Sequence, residues 1–263
     1  MQTLLAHTQR PQADAPPEMV YLQPLLQLQS MRSRIADSNE LLVEAIATAP
    51  SRQRTSRDTA PGIAWFIYPF AGRVLHEGLA LLLAQRLSQQ QANTFAWTCN
   101  HMGLMLAPSV AMDVGALDWH TLWRTEQLEQ DLAAAVNFSE IARRRFREIA
   151  QIAGLLNARI PGMNFNTRQL QVSSGLLFDV LSKYDPNHLL LQAAKTEAIE
   201  RELHLGELRQ LLQRLSIQRM VITRPDKHTP FSFGLWAESM RGQLSNESWA
   251  DRIRRAAQQM DKN

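Results

Sequence analysis

The feature that most constrains this chain is the run "IAWFIYPFAGRVLHEGLALLLAQRL" at residues 63–87. A β-branched and aromatic segment, stopped at Pro69, reads as a buried strand. Gly72 supplies a turn, and Leu75, Leu79, Leu82, Leu83 and Leu87 then recur on one face of a helix. "NTFAWTCN" and "GLMLAP" follow as a second strand and its hairpin partner, with Gly103 in the turn. From 117 to 215 the apolar pattern is almost wholly helical, and "SIQRMVITRP" (216–225) is the last strand. "SWADRIRRAAQQM" closes the chain as an amphipathic helix. Residues 19–48, with Leu22, Leu25, Leu26, Ile35, Leu41 and Leu42, are expected to hold one or two short helices. The expected fold class is α+β: a helix-rich domain, residues 19–263, with a small, mostly antiparallel sheet. A Pro- and Gln-rich disordered leader, residues 1–18, precedes it, and residues 49–62 read as an exposed loop.

Composition and missing motifs exclude several function classes. A 45% hydrophobic chain of 263 residues has material for a core, and a net charge of +3 permits an anionic partner without demanding one. A single cysteine, Cys99, leaves no internal disulfide and fits a reducing cytosol. No apolar run reaches the roughly 18 residues of a membrane span, and the N-terminus lacks a signal-peptide pattern, so a cytoplasmic protein without membrane contact is expected. There is no phosphate-cradling G-x-x-x-x-G-K-[ST] and no G-x-G-x-x-G after a strand. "HEGLA" (76–80) lacks the second His of a zinc motif, and nothing nearby completes a ligand set around Cys99 and His101. "VSSGL" (172–176) is not a nucleophile elbow. No catalytic residue and no metal site is assigned.

The positive signals are cationic. In "NFSEIARRRFREIAQIAGLL" (137–156), Ser139 reads as a helix N-cap, and Arg144 can pair with Glu140 and Glu148. Arg143 and Arg147 sit four apart on one face: either a solvated face or a pair that grips a phosphate. Asp185 and Pro186 read as N-cap and first residue of a second helix, with Gly206 as its kink or break. Lys183 and Tyr184, just before them, can offer a cation and a stacking ring. Arg209, Arg214, Arg219, Arg224 and Lys227, then Arg252, Arg254 and Arg255, form either a scattered surface or a stripe along a phosphate backbone. Trp65 and Trp97 are expected in the core, whereas one of Trp119, Trp123, Trp236 or Trp249 can stack on a base.

Four stretches together resemble the C-terminal, DEAD/H-associated domain of ligase-associated, Lhr-like DEXH-box DNA helicases. They are "FIYPFAGRVLHEGLALLLAQRL", "ARRRFREIAQIAGL", "RQLQVSSGLLFDVLSKYDPNHLLLQAA" and "TPFSFGLWAESMRGQLSNESWADRI". The family pattern, YPF-x-GR-x-x-HEGLA, ARRRFREIA, RQ-x-Q-x-SS-x-L and KYDP-x-x-LL, agrees in order and spacing from about residue 21 onward. The resemblance implies an accessory, nucleic-acid-contacting domain of an ATP-dependent 3′-to-5′ DNA helicase in DNA repair. The implied partners are single-stranded DNA, motor domains in cis or trans, and a DNA ligase and repair nuclease of the same pathway. ATP and Mg belong to the upstream motor, whose motifs this sequence lacks. Where the family often has Asn-Asp-Tyr-Gly after the second strand, Asn100-His101-Met102-Gly103 stands here.

The candidate nucleic-acid-binding residues are therefore Arg143, Arg147, Arg168, Lys183, Tyr184 and Arg219. Arg73, His76 and Glu77, at the start of the Leu-rich helix, are expected to form a structural polar cluster. Two other readings stand beside the first. One is an interaction scaffold that packs against the motor and winged-helix domains without DNA affinity. The other is a free-standing enzyme built on Arg73, His76 and Glu77.

Overall fold

A computed structural model describes residues 19–48, 62–135, 138–155, 167–240, 250–251, 253–254 and 257. The expected leader and nearly all of the 49–62 loop lie outside these residues. The strands are β1 (Glu40–Thr48), β2 (Gly62–Ile67), β3 (Phe95–Cys99), β4 (Leu104–Pro108) and β5 (Arg219–Thr223). The helices are α1 (Met19–Arg32), α2 (Arg73–Gln90), α3 (Trp119–Leu122), α4 (Leu128–Ala134), α5 (Phe138–Ile152), α6 (Thr167–Tyr184), α7 (Leu189–Glu197), α8 (Leu205–Ile217) and α9 (Pro230–Ser239). The strand order is β3-β4-β2-β1-β5, antiparallel except for the parallel β1–β5 pair. This is the expected α+β class, with a small, mostly antiparallel sheet.

Both faces of the sheet are covered, so its central strands alternate between two apolar layers. Leu41, Val43, Ala45, Trp65, Ile67, Leu104 and Leu106 face α2 and the helices after it. Leu42, Ile46, Ala64, Phe66, Tyr68 and Met105 face the other way, with Phe231 and Leu235 of α9. This double burial corrects the expectation for 19–48: α1 ends at Arg32, and Leu41 and Leu42 belong to β1, not to a helix. An apolar run buried on both sides has no alternation to distinguish it from a buried helix turn. α9, opening on Thr229 and Pro230, is a helix the apolar periodicity did not single out.

The second layer is joined through one carboxylate. Glu44 of β1 is fully buried, and its Oε2 accepts hydrogen bonds from the Tyr68 hydroxyl and the Thr229 hydroxyl, each at 2.7 Å. Its Oε1 accepts from Gln29 Nε2 of α1 at 2.8 Å. Thr229 also caps α9: its hydroxyl accepts from the Ser232 N–H, and Ser232 Oγ accepts from the Thr229 N–H. Gln29 Oε1 accepts from the Phe231 N–H at 3.1 Å, which the first turn of α9 would otherwise leave unpaired. Burial, and then the Glu44 charge, hold the Tyr68 phenol protonated, its pKa well above the ordinary value.

On the opposite face, Arg86 of α2, only 4% exposed, holds the chain between α3 and α4. Its Nη1 donates to the Leu122 and Arg124 carbonyls at 2.7 Å, and its Nε donates to Asp131 at 2.8 Å. Trp119 and Trp123 are buried beside this loop and stack on each other at 5.3 Å, with Trp119 Nε1 donating to the Val114 carbonyl. Neither ring is open to a base, so of the four Trp considered for stacking only Trp236, partly buried, is left among the described residues. Trp65 is in the core as expected, Trp97 is partly buried, and Trp249 lies outside the described residues.

The helical half departs from expectation at its joints. α6 ends at Tyr184, and Asp185 does not cap α7; the His188 N–H donates to the Asp185 carbonyl across a turn that places Pro186 second. The cap is His188, whose Nδ1 accepts from the Leu190 N–H. The second break is not at Gly206. A π-helical segment, Ala198–Glu202, runs into Leu203 and His204, and His204 has φ 49°. α5 begins at Phe138, so Ser139 is its second residue, not its cap. Of the expected terminal helix, Ala250, Asp251, Ile253, Arg254 and Ala257 are helical, and Arg252 and Arg255 lie outside the described residues.

Glu44→Ala is expected to lower unfolding stability by about 3 kcal/mol, because it strands buried donors from three elements. Tyr68→Phe, which removes one donor, is expected to cost only about 1 kcal/mol. Urea denaturation checks this order; equal costs would show that Glu44 is not the hub.

Candidate nucleic-acid interface

The opening of α2 resolves the polar cluster. Phe70 and Gly72 take positive φ (50° and 92°), and the turn sends the chain from β2 into α2 without a side-chain cap. His76 is fully buried, and both ring nitrogens are committed. Nε2 accepts from the Ala71 N–H at 3.0 Å, and Nδ1 lies 2.7 Å from the Asn100 carbonyl. An amide N–H can only donate and a carbonyl can only accept, so the ring is neutral, with its proton on Nδ1. Burial holds the His76 pKa below its ordinary value, and the Asn100 carbonyl opposes that only in part.

Asn100 in turn shapes the hairpin: its Oδ1 accepts from the Met102 and Gly103 N–H groups at 2.8 and 3.1 Å. A Cβ on Gly103 would lie 2.2 Å from the Ile67 carbonyl oxygen, so only glycine fits there. The residues that hold this turn are Asn100 and Gly103, the two positions shared with the family pattern. Arg73 is exposed and reaches Glu238 of α9 at 3.8 Å. Glu77 is half-buried; burial, and then the Glu77 charge, push the Cys99 thiol up to about 11. Cys99 donates to the Arg73 carbonyl, while His101 is exposed. Arg73 ties α2 to α9, His76 ties it to the turn between β3 and β4, and His76 has no nitrogen free for proton transfer.

The arginines described between 209 and 224 each turn to a different part of the fold. Arg209 pairs with Glu129 of α4 at 3.5 Å, and Arg224 pairs with Asp113 at 3.0 Å. Arg214 donates to the Pro69 carbonyl at 2.8 Å. Arg219 lies beside Glu40 in the β1–β5 register and bonds its carboxylate, which Arg34 also holds at 3.0 Å. Each guanidinium is spent on a different element.

One cleft brings together two of the candidates, Arg143 and Lys183. It has a volume of about 640 Å³ and lies between the end of α4 and the helices α5, α6 and α7. Its cations are Arg143 of α5, Lys183 of α6 and Lys195 of α7; Ser182 and Asp179 supply the other polar groups. Phe146 and Phe178 meet edge to face at 5.5 Å and fix the α5–α6 contact. The Arg143 guanidinium lies over the Phe178 ring, 5.4 Å from its centroid, and donates to Asp179 at 2.5 Å. Lys183 Nζ sits 5.1 Å from the Tyr184 ring centroid, and that ring is 73% exposed.

The structure therefore brings Arg143 and Lys183 together, with Tyr184 beside them, and leaves Arg147 and Arg219 elsewhere. Arg147 is half-buried on α5 and does not line the cleft, so the anion beside Arg143 is Asp179, not one shared with Arg147. Arg168 is on the first turn of α6, and its side chain lies outside the described residues. Arg144 pairs not with Glu140 or Glu148 but with Glu202 at 3.7 Å; Arg145 takes Glu148 at 2.9 Å and Glu202 at 2.8 Å, tying α5 to the π-helical segment. Lys195 was missed because its place in the cleft depends on how α7 folds back after the Asp185 turn, which no helical period encodes.

His76→Ala is expected to cost about 3 kcal/mol of stability by stranding a buried N–H and a buried carbonyl. Arg73→Ala is expected to change it by less than about 0.5 kcal/mol. Thermal or urea unfolding distinguishes the two.

Comparison with known proteins agrees with this architecture. The family model described as "DEAD/H associated" matches residues 35–232. The ATP-dependent helicase Lhr-Core protein 2 of Thermococcus barophilus is 24% identical over 209 residues, covering 79% of this chain and 23% of that protein. The Mycobacterium smegmatis helicase Lhr, solved bound to ssDNA and AMP-PNP, superposes with a TM-score of 0.63 at 22% identity. That match covers 81% of this chain and 26% of the other, and it is a likeness of fold. The chain thus spans about a quarter of the length of these relatives. The core motifs of β2, α2, α5 and α6, the two-layered sheet and the family match over most of the sequence agree: the chain belongs to the DEAD/H-associated family.

Proposed function

We propose that this chain is a nucleic-acid-contacting accessory part of an Lhr-like, ATP-dependent 3′-to-5′ DNA helicase of DNA repair, working in the cytoplasm. Its task is to guide single-stranded DNA behind a motor supplied in cis or in trans. The observation that carries this reading is the convergence of Arg143, Lys183 and Lys195 on one cleft beside the exposed Tyr184 ring. Cations in a groove can track a phosphate backbone, and an exposed aromatic at its edge can stack on a base without choosing its identity. That the Mycobacterium smegmatis helicase was solved with ssDNA is in keeping with such a role.

ATP and Mg have no seat in this reading. The turn at Gly72 opens on a helix N-terminus, but it carries no phosphate-loop Lys, and His76 is spent on holding Ala71 and Asn100. Hydrolysis is assigned to the motor.

A specific observation also favours a docking role. Leu176, Val180 and Tyr184 recur one turn apart on α6 and are 65%, 43% and 73% exposed, an apolar stripe suited to another domain of the helicase. The stripe and the cleft can serve the same domain.

Fluorescence anisotropy of a labelled oligothymidylate, titrated with the full chain at two salt concentrations, tests the reading. Micromolar binding that weakens steeply with salt is expected. Lys183→Ala/Lys195→Ala is expected to weaken it by roughly tenfold and to lower the log–log salt slope by about one to two. No binding at low salt would leave docking alone.

A further inference from the structure

Arg143 already holds an anion. Its Nη2 donates to Asp179 Oδ1 at 2.5 Å, and its guanidinium rests on the Phe178 ring of the same helix. A Cβ on Gly175, one turn earlier, would lie 3.6 Å from Arg143 Nη1, an ordinary contact distance, so the guanidinium lies directly against α6. The pair is not buried: the Arg143 side chain is 33% exposed and that of Asp179 is 54% exposed. A phosphate entering the cleft therefore meets a guanidinium that is accessible and oriented but occupied.

We propose that Asp179 is a built-in competitor for the phosphate position in this cleft, and that it keeps the grip on a nucleic-acid strand weak enough for the strand to move through. This rests on the reading of the cleft as a phosphate-binding groove. The cations around Asp179 in the cleft are Arg143 and Lys195 on the neighbouring helices and Lys183 one turn further along α6, and Asp179 is the only carboxylate among the described lining residues. With it, a strand must share or displace the Arg143 ion pair and also approach a like charge. Without it, all three cations are open to phosphate. A domain that only anchors a strand has no use for a competitor. One that lets the strand pass after each step does, because tight binding would oppose transit.

The test compares the full-length wild type with Asp179→Asn and Asp179→Ala. Asp226→Asn is the control, because it makes the same charge change at an exposed position in the turn after β5. Each is titrated against a fluorescein-labelled oligothymidylate at low and moderate salt, and circular dichroism confirms folding. Both Asp179 variants are expected to bind about three- to tenfold more tightly than wild type, with a steeper salt dependence. The control should change affinity by less than about twofold. Arg143→Ala added to Asp179→Asn should remove most of the gain. If wild type binds through Lys183 and Lys195 but Asp179→Asn matches the Asp226 control or binds more weakly, the competitor role is overturned while the groove stands. If neither wild type nor Asp179→Asn binds at low salt, the groove reading falls and the competitor role falls with it.

Discussion

A carboxylate taken wholly out of water must be met by donors, and the fold of this chain is organised around how that is done for Glu44. Its two oxygens take a hydroxyl from β2's extension, a hydroxyl from the cap of α9 and an amide from α1. None of the three partners is charged, so the carboxylate is held by geometry, and the geometry exists only when α1, β1, β2 and α9 are all in place. Because Thr229 is both a Glu44 donor and the cap of α9, the register of that helix is set by a residue of the central sheet. Arg86 plays the complementary part on the other face. A buried guanidinium collects the carbonyls of an irregular segment and so sets where α4 starts, which in turn forms one wall of the cleft.

The sequence was legible where an element is marked by its residue types and its breakers. The Leu spacing of α2, the strand stopped at Pro69 and the Gly103 turn could all be read directly, and Gly103 is now explained by the Ile67 carbonyl 2.2 Å from where a Cβ would be. β1 was not legible, because it is covered on both faces and so lacks alternation, and it has none of the aromatic residues that mark β2. The joints of the helical half were misplaced for a related reason. Asp185-Pro186 carries the residue types of a cap, but the chain uses them for a turn and caps α7 with His188. The break near Gly206 is made by a π-helical segment and a left-handed His204, not by the glycine.

Site residues showed the same division. Arg143 and Lys183 were candidates from their neighbourhoods in the sequence, and the fold brings them to one cleft. Arg147 and Arg219 had equally good local credentials and are not there: Arg219 answers Glu40 across the β1–β5 register, a pairing between residues 179 apart in sequence. Lys195 and Asp179 had no signal of their own, because a groove between three helices is a property of their packing. The described lining of the cleft sets three cations against one carboxylate. On the proposed reading, such a surface steadies a strand through salt-sensitive contacts while a motor elsewhere moves it, and the ion pair inside the cleft moderates that grip.

The measurement that tests the central claim most directly is photo-cross-linking of the full chain to an oligothymidylate carrying a photoreactive thymidine analogue, with the cross-linked peptides mapped by mass spectrometry. The account predicts cross-links within α5 and across the end of α6 into α7, with Tyr184 among the modified residues. Cross-links concentrated on α1 and α9, or on the β5 edge around Arg219, would contradict it.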